Sequence, residues 1–592
     1  MSVLSLSKAD GRSKRKDLEL LRIQLEMERS SFLPLWRDIG DYLSPMRPRF
    51  QVTDTNRGDR KNTKIIDSTG TISSRTCRSG MMGGVTSPAR PWFRLTTPDP
   101  DLAEFGTVKQ WLHVVTQRMV QIFLRSNLYK SLPTVYGDMA DFATAAMSLE
   151  EEFNGNVIHT HPFPIGSYCI GVDEFGRVNV FHRKFRMTVR QVVAKFVDTK
   201  SRSGSGDWSN ISQWVKNAWE EGNTEQWIDI YHCIRPNEEW KPGSPFTKQM
   251  RFSSCYYEAG TSMGATGYFQ PSDELKVLSE RGYNYFPVLA PRWEVTGEDS
   301  YGTNCPGIMA IGDVKQLQLG ERRGMQAIEK MVNPPMVAHS ALRNQRASIL
   351  PGDTTYVDIQ DVGAAFRPAH EVHLRLEALE AKQEACRYRI KRAYFEDLFL
   401  MLSQTDRREI TAREVDEQHE EKLLALGPVL ENLNQDLLDP MIDNVFEIMG
   451  RQGLIPEAPE EIQGVPLKVE YISVMAQAQK LIGIGSIDRF AGFVGNLATQ
   501  LQNPELIDKI DTDQLIDVYG DLTSIPPGII RPDEDVEAIR ADRQKQIAAA
   551  QSAETVAQTT GAVKNLAQAD MSGENALNAL LGQAQAGSIV TQ

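Results

Sequence analysis

Two adjacent arginines, Arg407 and Arg408, are the first candidates for binding chemistry in this sequence. A guanidinium group stays charged at physiological pH and binds phosphate or carboxylate oxygens through paired hydrogen bonds. Shortly after them, Thr411 and Glu414 have the spacing of a capping box at the start of a helix. The pattern predicts that a helix begins at Thr411 and that the arginines lie in the segment leading into it. A solvated surface turn is the alternative interpretation of that segment.

The arginine pair belongs to a long stretch with a local excess of positive charge. Between Cys386 and Arg413 there are seven basic and four acidic residues, a balance of +3, whereas the whole chain of 592 residues carries −13. Such a stretch attracts a polyanion such as DNA, while the acidic remainder argues against a protein that coats nucleic acid. The candidate DNA-facing residues are Arg407, Arg408, Arg413, Arg392 and Lys391, with Thr411 and Glu414 as the neighbouring helix cap.

Motifs for nucleotide chemistry are weak. A phosphate loop needs a Gly-Lys pair that opens a helix, but the chain has no such pair, and prolines follow the glycine cluster at Gly83 and Gly84. The apolar run that ends in Asp173 and Glu174 resembles the acidic strand of a nucleotide hydrolase. However, apolar and polar residues alternate on both sides of this Asp-Glu pair, which favours a β-hairpin with the pair in its turn.

Metal and disulfide chemistry lack the required spacing. The two imidazoles of His159 and His161 are half a zinc site, without an evident acidic or cysteine partner. The six cysteines contain no Cys-x-x-Cys pair, which is typical of a reduced compartment. No apolar run is long enough to span a membrane, and the N-terminus does not resemble a secretory signal. We therefore expect no catalytic residue, cofactor or metal.

The elements that position these residues are mainly helical, with β structure in the first half of the chain. Apolar residues recur at helical spacing over 15–45 and 107–146, whereas alternation predicts a hairpin around Asp173 and a strand at Trp227–Pro236. The stretch 200–300 is rich in Trp, Tyr, Gly and Ser and is predicted to be β structure with long loops.

Two long helices are predicted before the arginine pair. The first covers 305–333, where Gly320 and Gly324 lie on one face and permit close approach of another helix, and Asn-Pro-Pro ends it. The second covers 371–398, after a segment rich in proline and glycine.

The C-terminal part is also predicted to be helical. After the capped helix start, Pro428 and Pro440 should bend a helix whose apolar stripe consists of Leu430, Leu433, Leu437, Met441 and Val445. The last 52 residues hold thirteen alanines, eight glutamines and no aromatic residue. They can form helix but cannot build a globular core alone.

In this order, the stretches resemble the portal proteins of tailed bacteriophages, in particular the head-to-tail connectors of short-tailed phages. The resemblance lies in "GGVTSPARPWFRL", "YGTNCPGIMAIGDVKQLQ", "NPP" and, most specifically, "REITAREVDEQHEEKLLALGPVLENLNQDLLDPMI". It covers roughly residues 20–480.

The resemblance implies an α+β, predominantly helical portal fold that closes into a ring, usually of about twelve copies. Its parts would be a wing over 1–304, a first stem helix over 305–333, a clip over 334–370, a second stem helix over 371–398, a tunnel loop over 399–412, a kinked long wing helix and exit over 413–475, a crown over 476–540 and a helical C-terminal barrel or flexible tail over 541–592. The arginine pair would then become a circle of positive charge around the tunnel.

The same resemblance implies where the protein works and what it contacts. Double-stranded DNA would pass through the ring without sequence specificity, at the portal vertex of the virion, after assembly in the host cytoplasm. The implied partners are a packaging motor (terminase), capsid and scaffolding proteins and tail adaptor proteins, with no membrane. Two other classes remain open, namely a capsid adaptor or scaffold without a channel and, with less support, a DNA-packaging enzyme.

Overall fold

The computed structural model describes most of residues 14–332, the segments 336–338, 366–368, 376–404 and 426–472, and scattered residues from 490 to 550. Within the first range, residues 198–206 and 260–275 lie outside the description. The chain divides into two units, one of residues 1–98 and 110–509 and the other of residues 99–109 and 510–592. The sheets among the described residues belong to the first unit.

Three helices open the chain: α1 (Lys14–Ser30), α2 (Leu33–Tyr42) and α3 (Thr69–Gly84). The single helix predicted over 15–45 is divided because Pro34 lies in the first turn of α2, where its missing N–H costs no helical hydrogen bond. Helix α3 ends at Gly84, and the chain continues into strand β1 (Phe93–Thr96).

The helix predicted over 107–146 is two helices, α4 (Gly106–Arg125) and α5 (Leu128–Phe142). Asn127 lies at the break, and its side chain bonds both backbone groups of Thr160, donating at 2.7 Å and accepting at 2.8 Å. Ala143 then ends α5 with a left-handed backbone, φ 62°.

A five-stranded antiparallel sheet of order β4-β5-β6-β7-β8 forms the centre of the first half, beside a three-stranded sheet of order β3-β2-β9. The elements are β2 (Met147–Glu151), β3 (Ile158–Pro162), β4 (Tyr168–Val172), β5 (Val178–Thr188), α6 (Val189–Phe196), α7 (Gln213–Glu220), β6 (Trp227–Pro236), β7 (Phe252–Glu258), β8 (Ser279–Tyr283) and β9 (Val288–Leu289). The predicted hairpin β4–β5 and the predicted strand β6 are confirmed.

The five-stranded sheet is covered by helices on both faces. Ile228 and Ile230 of β6 pack with Val192 of α6, whereas Tyr231 and Cys233 of the same strand pack with α1. Successive side chains of a strand point to opposite faces, so this strand is apolar at nearly every position.

Two long helices, α8 (Pro306–Val332) and α9 (Leu376–Ala393), pack against each other. A Cβ atom at Gly324 would lie 3.0 Å from Leu379, and one at Gly320 would lie 3.9 Å from Gln383. Higher residue numbers in α8 face lower ones in α9, so the helices are antiparallel. Between them in sequence, the short strands β10 (Met336–Ala338) and β11 (Phe366–Pro368) form an antiparallel pair. The close approach predicted from Gly320 and Gly324 is therefore confirmed.

The end of the second long helix differs from the prediction. Helix α9 stops at Ala393, Phe395 takes a left-handed backbone with φ 53°, and α10 (Glu396–Gln404) follows. The helix predicted over 371–398 is thus interrupted, and residues 399–404 are helical although a loop was predicted over 399–412. Helix α10 packs on α3, where the missing side chain of Gly80 leaves room for the ring of Phe399.

The C-terminal part of the first unit contains a long interrupted helix. Residues 426–433 are helical, a π-helical turn follows at Asn434–Leu438, and α11 (Asp439–Arg451) continues from it. Pro440 lacks the N–H that an α-helix needs at this position, which accounts for the irregular turn before it. Strand β12 (Lys468–Tyr471) then pairs with β1. In the predicted apolar stripe, four residues are buried, namely Leu433, Leu437, Met441 and Val445.

In the second unit, residues 538–550 are helical, and their side chains are exposed. Most of the predicted crown over 476–540, and residues 551–592 of the predicted tail, lie outside the described residues.

Candidate nucleic-acid interface

The predicted DNA-facing residues divide into two groups. Arg407, Arg408 and Arg413, together with the predicted cap of Thr411 and Glu414, lie outside the described residues. The other two, Lys391 and Arg392, occupy the last turn of α9.

Lys391 and Arg392 are exposed and make no ion pair with any residue that the structure describes. Their charges also lie at the C-terminal end of a helix, where the partial negative charge of the backbone favours cations. Both therefore remain candidates for contact with phosphate at this end of α9.

Arg387, counted in the same positively charged stretch, is already engaged within the chain. Its Nε donates to Asp67 at 2.9 Å, Nη2 donates to Glu321 at 2.7 Å, and Nη1 donates to Glu384 at 3.2 Å. The hydrogen bond to Asp67 is the main reason that the pKa of this guanidinium is raised. Arg387 thus ties α9 to α8 and to the segment before α3.

Arg389 is engaged in a similar way, because its Nη2 donates to Asp313 of α8 at 2.6 Å. The excess of positive charge in the sequence therefore overstates the charge available to a ligand. Apart from Glu384, the carboxylate partners of these two arginines are far away in sequence, so no local pattern could have revealed those pairings.

A buried carboxylate lies where α9 ends. Asp141 of α5 accepts hydrogen bonds from Tyr394 at 2.8 Å, from Ser74 of α3 at 3.0 Å and from Ser44. The thiol of Cys305, just before α8, donates to the backbone carbonyl of the same aspartate at 3.2 Å. Sequence reasoning missed this cluster, which joins the ends of both long helices to α3 and α5.

The electrostatics of the cluster follow from its burial. Burial raises the pKa of the Asp141 carboxyl, and the hydrogen bonds from Ser44, Tyr394 and Ser74 act in the opposite direction. Burial, reinforced by the neighbouring Asp141, also raises the pKa of the Tyr394 hydroxyl well above its usual range. The tyrosine therefore remains a hydrogen-bond donor at physiological pH.

The chain on both sides of residues 405–425 is anchored. Before them, Ser73 of α3 donates a hydrogen bond to Glu396 at 2.7 Å, and Leu398 and Phe399 are buried. After them, Leu426 and Leu433 are buried. The segment with Arg407 and Arg408 thus connects two fixed helical ends.

Other candidate chemistry is explained by local structure. Asp173 is a turn residue whose Oδ1 accepts hydrogen bonds from the backbone N–H groups of Phe175 and Arg177, at 2.9 and 2.8 Å. His159 and His161 lie in β3 with exposed side chains, and Glu152 is 3.8 Å from His159. The six cysteines are free and buried.

Two kinds of site are absent from the described part of the chain. Within it, no three side chains of the His, Cys, Asp and Glu types come together as metal ligands would. None of its helices combines the length and the apolar character needed to cross a lipid bilayer.

Comparison with known proteins identifies the class. The sequence profile of the family described as "Bacteriophage head to tail connecting protein" matches residues 15–530. This chain belongs to that family, the portal proteins that connect the phage head to the tail.

Two relatives are similar over nearly their whole length. The "Portal protein" of Salmonella phage epsilon15 is 45% identical over 563 residues, covering 95% of this chain and 97% of the relative. The "Probable portal protein" of Bordetella phage BPP-1 is 41% identical over 554 residues, covering 94% and 95%. Portal proteins are structural and not enzymes, so the predicted family and the predicted lack of catalysis are confirmed. The site of action is the head-to-tail junction of the phage virion.

Proposed function

We propose that copies of this chain close into a ring at one vertex of the capsid and that double-stranded DNA passes through its centre during packaging and ejection. The observation that carries the proposal is the match to head-to-tail connecting proteins over residues 15–530. A connector between head and tail stands on the path of the genome, and cyclic symmetry closes one repeated contact without leaving an open edge.

Exposed apolar side chains support assembly into a multi-copy particle. On α8, Leu319 is 56%, Met325 65% and Val332 80% exposed, and on α9, Tyr388 is 59% exposed. Apolar residues concentrated on one helix pair are typical of a surface that a partner covers.

The parts of the ring are assigned in the same proposal. Helices α8 and α9 form the stem, and 334–370 forms the clip between them. Because residues 399–404 are helical, the tunnel loop is restricted to 405–412. The wing comprises 1–304 and the long helix of 413–475, the crown comprises 476–540, and 541–592 forms the C-terminal barrel or tail.

The ring would serve as a docking platform in two stages. The packaging motor (terminase) would bind it during filling, and tail adaptor proteins would bind it afterwards, while capsid and scaffolding proteins surround it. Assembly would take place in the host cytoplasm.

The candidate cations would meet the DNA backbone inside the ring. Arg407, Arg408 and Arg413, with Lys391 and Arg392, supply positive charge that contacts phosphates without reading sequence. Each such contact is weak, and the ring repeats it in every copy. The acidic remainder of the chain prevents the DNA from being held tightly.

The first test is the mass of the purified assembly. A chain of 66.4 kDa is expected to form particles of roughly 800 kDa if about twelve copies close the ring. Native mass spectrometry gives this mass directly, and negative-stain images should show a central opening. A chain that stays monomeric under every assembly condition would contradict the proposal.

The second test addresses the arginine pair. The double change Arg407→Ala and Arg408→Ala removes roughly twenty-four charges from a ring of about twelve copies. It should leave ring assembly intact and change the amount of DNA packaged or the rate of ejection, because phosphate contacts are lost. Packaging by assembled particles is the measurement, and Arg190→Ala, at an exposed site of α6, is the control. Packaging and ejection equal to those of the parent would exclude a role for the pair.

A further inference from the structure

The packing of α8 on α9 gives the helix pair two distinct sides. Gly320 and Gly324 face α9, and successive residues of a helix are rotated by about 100°. Glu321 follows the first of these glycines and Arg323 precedes the second. They therefore lie on opposite sides of the line of contact between the helices.

Helix α9 is divided in the same way. Gln383 is buried against α8, with Lys382 before it and Glu384 after it. Arg387 bridges Glu321 and Glu384, so these two glutamates are on the same side of the pair. Because the helices are antiparallel, Arg323 and Lys382 share the other side.

Charge is separated between the two sides. One side, called the acidic side, is an open groove whose lining includes four glutamates, Glu321, Glu377, Glu380 and Glu384, against the single cation of Arg387. The other, called the basic side, carries Arg323, Lys330 and Lys382, all exposed.

Most of these charges have no partner among the residues that the structure describes. Glu377, Glu380 and the three cations of the basic side form no ion pair with a residue that the structure describes. Glutamates three or four positions apart on one helix repel each other, which weakens the isolated helix. An opposite charge from outside the chain would remove this cost.

Each side also carries exposed apolar surface. Met325 and Val332 lie four and eleven positions after Glu321, which places them beside the acidic side. Leu319 lies four positions before Arg323, which places it beside the basic side. Each side therefore combines charge with apolar area, as an interface between protein surfaces requires.

We infer that the acidic side of one copy packs against the basic side of the next copy around the ring. The inference rests on the proposed ring and names the surfaces that close it. Such a contact is heterologous, because two different patches meet, and it repeats from copy to copy. It also fixes the orientation of the helix pair, with one of α8 and α9 facing the channel and the other facing outward.

Charge reversal tests the inference in solution. The variant Glu377→Lys/Glu380→Lys has two basic sides, and the variant Arg323→Glu/Lys382→Glu has two acidic sides. Each variant alone is expected to lose at least about tenfold in affinity at every interface, because like charges then meet. Native mass spectrometry should therefore show a strong loss of rings for each variant.

An equimolar mixture of the two variants should recover assembly. Every contact in a ring of alternating copies again pairs an acidic side with a basic side, so rings of the parental mass should return. A chain carrying all four changes should also assemble, because its two sides are exchanged. Circular dichroism of each variant before mixing checks that its fold is intact.

Arg322→Glu is the matched control. It makes the same charge change as Arg323→Glu one position earlier in α8, on the face directed away from α9, and it should leave rings intact. Rings from both single-side variants, or no rings from a mixture of folded variants, would overturn the inference. Loss of rings with Arg322→Glu alone would place the contact on the outer faces and also overturn it. Failure of the parent to form rings would instead refute the proposed function together with the inference.

Discussion

Replacing Asp141 with alanine is expected to lower the free energy of unfolding by about 3–5 kcal/mol. The change leaves the buried hydroxyls of Ser74 and Tyr394 and the partly buried hydroxyl of Ser44 without their acceptor, and each buried group costs about 1–3 kcal/mol. Part of this loss is offset because the mutant no longer buries a carboxylate. The urea midpoint, followed by circular dichroism at one fixed protein concentration, is the measurement.

Two milder changes serve as controls for Asp141→Ala. Asp141→Asn keeps the volume and one acceptor oxygen, and it should cost about 1–2 kcal/mol. Tyr394→Phe removes one donor and should cost about 1 kcal/mol. Hydrogen exchange should accelerate in residues 394–404 of the alanine variant but not in β5 or β6, because the cluster holds the end of α9. Equal stability of the alanine variant and the parent would mean that the cluster does not hold the long helices.

Helices and hairpins were predictable where the determining signals are local. The apolar spacing of α8, its two facing glycines and the Asn-Pro-Pro after it lie within one continuous stretch, so periodicity and chain stops defined the element. The alternation on both sides of Asp173 defined the β4–β5 hairpin in the same way. These signals depend on residues a few positions apart, which is the range that sequence patterns report.

Interruptions without glycine or proline were not predictable. Phe395 adopts a left-handed backbone, which an aromatic residue seldom does, and neither neighbour is a residue that breaks helices. The break is stabilised by distant contacts, namely Tyr394 with Asp141 and Phe399 at Gly80. The break after α4 is similar, because Asn127 there accepts a hydrogen bond from the backbone N–H of Thr160, in a strand that follows later in the sequence.

The candidate site was predictable in its composition but not in its pairing. A count of charges picked out the basic stretch, yet Arg387 and Arg389 bind carboxylates of α8 and of the segment before α3. The asymmetry of the helix pair was also present in the sequence, because Glu321 and Arg323 flank the glycines. The sequence alone could not show that these charges lie on opposite sides of the helix pair, because that depends on which face of α8 contacts α9.

Replacing Arg292 with methionine is expected to destabilise the protein by about 3–5 kcal/mol, because it leaves the carboxylate of Asp436, whose side chain is 15% exposed, without its cation. The guanidinium binds this carboxylate through two hydrogen bonds, Nε to Oδ2 at 2.9 Å and Nη2 to Oδ1 at 3.2 Å. Nη2 also donates to the carbonyl of Gly176 at 2.8 Å, in the turn of the β4–β5 hairpin. The pair therefore holds the π-helical turn before α11 against the hairpin.

The effect of the buried pair can be separated from that of an ordinary surface ion pair. Arg190 and Glu225 form a pair whose side chains are 65% and 71% exposed, so Arg190→Met should cost at most about 1 kcal/mol. High salt should remove that small effect but leave the Arg292→Met effect nearly unchanged, because buried charges are poorly screened. Adding Asp436→Leu to Arg292→Met should restore much of the lost stability, since no buried charge then remains unpaired. Urea midpoints at low and high salt measure all three effects. If the double variant were no more stable than Arg292→Met, the loss would come from packing and from the bond to Gly176 instead of from the unpaired carboxylate.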